Sequence, residues 1–464
     1  MSDFMNFILS YLVQALAGLV FVAVAGVVIL RAAVKRHKCK YGAQVPFPWM
    51  KAVLLLMLAA YLAVVLFVTI RSGGYYTGAA NFHLFRGWRE AWNSFSERQW
   101  MNVLLNIALF VPLGILLPLI WKRMQKWYLM LPAGFLTSLF IEIMQYLRGS
   151  GLFDVDDLFN NTLGAVVGFW LVMAAVSLWQ KRWKKGACHM LALIAAAAAI
   201  SGVFIAYEVQ EYGNLSTSPA FRVDTKHVQW TVSCDLSDQE QTVDIYKTQP
   251  WTREACEAFG RKFFENLGIT EVDVTIYNDE VYMREHLGNR ILEVFYQGGC
   301  YSFRDLENWD EEACIRVEET ELREALKAYG IEIPAAAEYA CPDGKTHSFH
   351  VDHYVQGDTM LDGTITVQWK DGFGIQSIEN DLLSVTYYGA DTIQSAKAAV
   401  QRLMDGYIAS GDWFERKDPR NIEVISCELS YQVDTKGFYQ PVYLIRLVSP
   451  DTGFEATETV PALK

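Results

Sequence analysis

The chain has 464 residues, and its 52 acidic side chains outnumber its 40 basic ones for a net charge of −12. That average hides two opposed parts: residues 1–207 hold 18 basic and 7 acidic side chains, net +11, while residues 208–464 hold 22 and 45, net −23. A part this acidic is repelled by phosphate-rich polymers and by anionic lipid, which argues against nucleic acid as a partner.

In chain order, six apolar runs cover roughly 8–30, 52–70, 103–121, 127–147, 162–178 and 187–207, each near the ~20 residues needed to span a lipid bilayer. Trp49, Trp100, Trp121, Trp127, Tyr128, Trp183 and Tyr207 lie at or near their ends, where amphipathic rings prefer the headgroup layer. Basic residues near helix ends stay on the cytoplasmic side. Thirteen fall between runs one and two, three and four, and five and six, against five (Arg71, Arg86, Arg89, Arg98 and Arg148) in the other connections. The reading is a multi-pass protein with its N-terminus and everything after Tyr207 outside. Met1 to Phe7 carries no positive charge and no small-residue cleavage site follows, so the first run is expected to be a retained anchor.

Ionisable groups within membrane helices are costly, which makes each one a functional candidate. Asn102 and Asn106 open the third run, four residues apart. Glu142 lies about five residues before the end of the fourth, roughly 8 Å below it at 1.5 Å per residue. Gln145 shares its face at i+3 and Arg148 marks the helix end. The connection to the fifth run reads Phe153-Asp154-Val155-Asp156-Asp157-Leu158-Phe159-Asn160-Asn161. The charge-derived topology brings all of these to one side of the membrane. Together they make an oxygen-rich pocket at the outer leaflet, of a type that suits Mg²⁺ or Ca²⁺. The paired Asp156 and Asp157 echo the pattern that holds Mg²⁺ on polyprenyl diphosphates. Each residue also has a structural reading. The three aspartates could cap the following helix, Glu142 could be satisfied by Arg148 or an asparagine, and Asn102 and Asn106 could bridge helices. Gly164 and Gly168, four apart, are read as a helix-packing seam.

The stretch from Asn106 to Phe169 resembles the VanZ-like family of bacterial membrane proteins. The resemblance rests on Asn106-Ile107-Ala108-Leu109-Phe110-Val111-Pro112-Leu113-Gly114, Ser138 to Gln145, Asp154-Val155-Asp156-Asp157 and Asn161-Thr162-Leu163-Gly164. It covers about residues 50–180 and implies a cell-envelope role, since the family's namesake is associated with low-level teicoplanin resistance. The family's polar motif maps onto Asn106, Glu142, Gln145, Asp154, Asp156, Asp157 and Asn161. Two function classes are expected: binding of an envelope ligand (a glycopeptide, a lipid-linked precursor or a lipid), or an enzyme acting on a lipid-linked envelope intermediate with Asp156, Asp157 and Glu142 at its centre.

After 207 the expected organisation is a linker over 208–219, with Gly213 to Pro219 as its flexible centre, and then an acidic α+β domain over 220–464. A helix near 252–267 and a strand over 272–277 are expected, then strands at 364–369 and 383–388, a helix at 392–408, and strands at 422–431 and 440–448. The order suggests two related halves. The six cysteines of this part permit disulfides whose pairing the sequence does not dictate. His347, His350 and His353 lie near Cys341 and Asp352. On one strand His350 and Asp352 share a face opposite His347 and His353, so a single metal site there requires a turn. The ending, Gln440 to Leu463, looks weakly like the extracytoplasmic domains of YycI-type regulatory proteins. No dinucleotide fingerprint, phosphate loop, His-Glu-x-x-His helix or nucleophile elbow occurs.

Overall fold

The structure, a computed structural model, describes residues 34–36, 48–71, 80–149, 153–277, 280–307 and 309–464. The chain divides into two compact units, a helical one up to Glu211 that also takes in Pro219–Phe221, and a second one of Tyr212–Ser218 and Arg222–Lys464.

The first unit is helical: α1 (Trp49–Arg71), α2 (Arg86–Ser94), α3 (Glu97–Ile120), α4 (Trp127–Arg148), α5 (Val155–Trp179) and α6 (Trp183–Val209). All but α2 are long and apolar enough to cross a membrane. They match five of the six expected runs, and the expected span at 8–30 lies outside the described residues. α3 and α5 begin well before the apolar runs they contain, at Glu97 and Val155. Hydropathy marks only lipid-facing length, whereas backbone hydrogen bonding continues into polar ends that pack on protein. Phe110, Leu113, Leu117, Ala165 and Phe169 form the core, with Leu58 and Val65 of α1 and Met130 and Ile141 of α4 around them.

Glycine sets the distance between α3 and α5. A Cβ on Gly164 would stand 1.9 Å from the Ile107 carbonyl oxygen, one on Gly168 2.1 Å from that of Val111, and one on Gly114 2.0 Å from that of Ala165. The two backbones touch, which is what small residues make possible where no hydrophobic force drives helices together.

The second unit holds, among the described residues, a 14-stranded sheet, four α-helices and a 3₁₀ turn at Glu311–Ala313. Its strands are β3 (Gln229–Val232), β4 (Gln241–Thr248), β5 (Val272–Ile276), β6 (Glu280–Glu285), β7 (Arg290–Phe295), β8 (Tyr301–Asp305), β9 (Glu338–Ala340), β10 (Thr346–Gln356), β11 (Thr359–Lys370), β12 (Gly374–Asn380), β13 (Leu383–Ile393), β14 (Asn421–Val433), β15 (Phe438–Ser449) and β16 (Phe454–Pro461). They follow β1 (Ala80–Asn81) and β2 (Phe153–Asp154), a short parallel pair in the helical unit. The sheet order is β3-β14-β15-β4-β13-β11-β12-β8-β7-β6-β5, with β10 on β11, β9 on β10 and β16 on β15. The β3–β14 pairing is parallel.

The helices are α7 (Arg253–Asn266), α8 (Glu319–Ala328), α9 (Ala396–Met404) and α10 (Gly411–Lys417). Thr252 caps α7 by accepting from the Ala255 N–H, and Ser395 caps α9 by accepting from that of Ala398. α7 buries Cys256, Gly260, Phe263 and Phe264, and α9 buries Ala396, Ala399, Val400 and Leu403. Both sets follow the i, i+3/i+4, i+7 spacing of one helix face. The expected helix at 392–408 starts later, at Ala396, because Thr392 and Ile393 still belong to β13. The other expected strands fall within β11, β13, β14 and β15, and the one at 272–277 is β5, which ends one residue earlier at Ile276. The six cysteines of this unit are free thiols.

The stretch expected to be a flexible linker is instead bound to the sheet. Asp434, 2% exposed, accepts from the Gly213 N–H and Gln440 Nε2 through Oδ2, and from the Lys436 and Phe438 N–H groups through Oδ1. Thr435 Oγ1 accepts from the Asn214 N–H, and Thr217 donates to Gln432. Asp434→Ala takes the acceptor from the Gly213, Lys436 and Phe438 N–H groups at once, each worth about 1–3 kcal/mol when buried, while Gln440 Nε2 keeps its bond to the Gly213 carbonyl. We expect a drop of several degrees in the melting temperature of this unit and new proteolytic cleavage near Gly213, read by differential scanning fluorimetry and limited proteolysis.

Candidate functional site

The polar residues singled out by the sequence collect at one end of the helical unit, and the short helix α2 turns out to belong with them. α2 presents Trp88, Ala91 and Trp92 on one face, with Phe95 a turn later, and these pack with Trp100, Val103 and Ile107 of α3 and Phe204 of α6. Phe95 stacks on Tyr207 at 3.3 Å between centroids, and Trp88 meets Trp100 edge-on at 6.1 Å. The apolar face of this amphipathic helix is thus covered by protein. The pattern Trp88, Ala91, Trp92, Phe95 at i, i+3, i+4, i+7 was the available signal, hidden in a stretch read as a connection carrying arginines.

The loop entering α2 is held by a carboxylate. Asp156, 3% exposed, accepts from the Phe85 N–H at 2.5 Å through Oδ1 and from the Gly87 N–H at 2.6 Å through Oδ2. Phe85 sits at φ 68°, a left-handed conformation costly for a bulky residue, so those bonds hold it there. A Cβ on Gly87 would lie 3.3 Å from Asp156 Oδ2 and would push that carboxylate by a few tenths of an ångström. Next to this clamp, Trp88 Nε1 donates to Asn160 Oδ1 at 2.9 Å.

The neighbouring acids have separate partners. Asp154 caps α5, accepting from the Asp156 N–H at 2.8 Å, and also accepts from Asn81 Nδ2 at 3.0 Å. Pairing of β1 with β2 places Asn81 opposite Asp154. Glu142, 2% exposed, accepts from the Asp154 N–H at 3.2 Å, so its observed partner is backbone, and Arg148 is exposed at the helix end. Asn106 Nδ2 donates to Asp157 Oδ1 at 2.5 Å, joining α3 to α5. Asn161 Nδ2 donates to Ser138 Oγ at 2.9 Å, while Asn161 Oδ1 is buried without a hydrogen-bond partner.

Asn106, Glu142, Asp154, Asp156, Asp157 and Asn161 therefore share one polar cluster built from α3, α4 and α5. Gln145 is half-buried beyond Glu142 on α4, and Asn102 is exposed on α3. Asn81, Phe85, Gly87, Trp88, Ser138 and Asn160 join the cluster without having been foreseen. Phe85 and Gly87 contribute backbone N–H groups, which every non-proline residue carries. Among the described residues, no three carboxylates of this cluster bring one oxygen each within 4.8 Å of one another. They are spread along hydrogen bonds instead.

Of the histidines in the C-terminal unit, His347 is fully buried, its Nδ1 2.9 Å from the Tyr339 hydroxyl and its Nε2 3.2 Å from the Ile315 carbonyl. His350 Nδ1 lies 3.0 Å from Thr364 Oγ1. Both are engaged structurally.

Residues 49–179, from α1 to the end of α5, match the VanZ/LLP1 family, so this part of the chain is a VanZ-like domain. With its apolar spans, the protein is a multi-pass membrane protein. No curated protein matches the chain. Among solved structures, the Bacillus megaterium YpeB C-terminal domain is similar at 9% identity and a TM-score of 0.20, covering 46% of this chain and 99% of its own.

Proposed function

We propose that the VanZ-like domain binds an envelope ligand, a glycopeptide, lipid-linked precursor or lipid, through the cluster of Asn106, Glu142, Gln145, Asp154, Asp156, Asp157 and Asn161. The observation that carries this reading is the burial of Glu142 and Asp156 beside Asp154 and Asp157 at one end of a membrane bundle. One aspartate caps a helix adequately; four acids from two helices and their connection are more than capping requires. Acceptors in this density suit ligands rich in N–H and O–H donors, such as amines, amides and sugar hydroxyls. Engagement of Asp156 with backbone N–H groups favours recognition over the alternative, metal-assisted turnover of a lipid-linked intermediate. Tolerance to teicoplanin-type glycopeptides is the corresponding phenotype.

The test is mass spectrometry of lipids and precursors copurified with the wild type and with Glu142→Ala at matched membrane levels. A species enriched at least tenfold in the wild type supports binding, and identical profiles overturn it.

The basic-residue asymmetry supports an orientation in which this cluster and the C-terminal unit lie outside. Cysteines introduced at Ser2 and Lys464 should then react with an impermeant maleimide in intact cells, and one at Lys38 should not. Protection at Lys464 would reverse the arrangement and move the ligand to the cytoplasm.

A further inference from the structure

β10 and β11 run antiparallel with one irregularity. Val351 pairs with Gly363 and Tyr354 with Leu361, so Asp352 and His353 together oppose the single residue Asp362. This two-against-one arrangement is a β-bulge, a device that re-aims side chains. Here it supplies the turn that the strand alternation lacked. His353 adopts φ 43°, which swings its ring out of the alternation and beside both aspartates. A carboxylate oxygen from each aspartate and a ring nitrogen of His353 lie within 4.8 Å of one another.

The hydrogen bonding leaves a gap in this triad. His353 Nδ1 lies 2.5 Å from Asp352 Oδ1, and the His353 N–H donates to Asp362 Oδ1 at 3.2 Å. The Tyr439 hydroxyl donates to Asp362 Oδ2. His353 Nε2, however, is buried with no hydrogen-bond partner and faces Asp362 Oδ2 at 3.8 Å. A ring that donates Nδ1–H to Asp352 turns the Nε2 lone pair toward a carboxylate, a repulsive arrangement unless a positive species stands between them. Zinc binds imidazole nitrogen and carboxylate oxygen at about 2.0–2.2 Å, which places neighbouring ligands of a tetrahedral ion about 3.4 Å apart. The observed separation needs a shift of only a few tenths of an ångström. Beside His353 lies an open surface groove of about 370 Å³, lined also by Asp244, Tyr246, Tyr431 and Met360 among others.

We propose that His353 Nε2 and Asp362 Oδ2 bind a zinc ion in the C-terminal unit, with Asp352 orienting the ring through Nδ1–H and the remaining coordination open to solvent on the side of this groove. Mixed nitrogen and oxygen donors select zinc over Mg²⁺ and Ca²⁺, which prefer oxygen alone. Asp352, mostly exposed, accepts from His353 Nδ1–H and so fixes the ring with Nε2 toward Asp362, a support whose loss typically costs about 10–100-fold in metal affinity. Asp362 is buried, with the Tyr439 hydroxyl on it as an outer support.

The test uses the full-length protein in detergent, stripped with a chelator and titrated with zinc, and with Mg²⁺ in parallel. Asp352→Asn and His353→Asn are the variants. Asparagine tolerates the left-handed conformation at 353, so the bulge is retained, and metal-free melting curves matching the wild type verify folding. The proposal expects one equivalent of zinc on the wild type, affinity at least tenfold weaker in both variants, zinc-dependent melting-point elevation only in the wild type, and no competition from equimolar Mg²⁺. Wild type and variants binding zinc alike, or a wild type that binds none, overturns it and leaves the triad as a hydrogen-bonded support of the bulge. A variant whose metal-free melting curve departs from the wild type is replaced by Asp352→Ser, held to the same expectation.

Discussion

Gly164→Ala and Gly168→Ala should each prevent the VanZ-like domain from assembling, although alanine is the better helix former. The new methyl carbons would sit 1.9 Å from the Ile107 carbonyl oxygen and 2.1 Å from that of Val111, and backbone cannot rotate aside as a side chain can. α3 and α5 must separate. Phe110, Leu113, Ala165 and Phe169 then lose contact together, so the loss should exceed the ~1–3 kcal/mol typical of an overpacked core. The polar cluster is also affected, because the Asn106 to Asp157 bond spans the same two helices. Gly202 is the matched control: nothing lies within 4 Å of a Cβ there. Gly202→Ala should be neutral or stabilising by up to about 1 kcal/mol. The readout is the melting temperature and monodispersity of detergent-extracted protein. A Gly164→Ala protein as stable as Gly202→Ala would mean that the helices are not in backbone contact.

The second large effect is expected at Asp156. Both of its oxygens accept backbone N–H groups, so Asp156→Asn turns an NH₂ group toward the N–H of Phe85 or Gly87. One bond is lost and a donor faces a donor, a cost of about 3 kcal/mol given that bonds to charged groups are each worth ~1.5–3 kcal/mol. Phe85 then has less to hold its left-handed conformation, and α2 should come loose from the cluster. We expect faster proteolysis between His83 and Trp88 and loss of any glycopeptide tolerance the wild type confers. Glu142→Gln separates structure from charge. Its side-chain carbonyl still accepts the Asp154 N–H, a bond already long at 3.2 Å, so proteolytic resistance should remain near wild type. Loss of ligand or phenotype in Glu142→Gln with an intact fold assigns the negative charge to the ligand. Full function in both variants would reduce the acids to a helix cap and a loop clamp.

The sequence alone determined what depends on local sums. Runs of apolar residues marked five of the described helices, and the charge imbalance separated the membrane part from the acidic part, because transfer free energy and net charge add up residue by residue. Gly164 and Gly168 declared a seam through their spacing. Asp154, Asp156, Asp157, Glu142, Asn106 and Asn161 declared themselves by being polar where polarity is costly. Strand–strand register and loop placement were decided by the tertiary structure. The role of Asp156 was illegible because its partners are backbone N–H groups, which leave no signature in residue identity. The stretch after Gly213 read as a linker because its anchor, Asp434, lies more than 200 residues away. His353 and Asp362 could not be paired from sequence, since a bulge is a mismatch between two strands and exists only once both are in register.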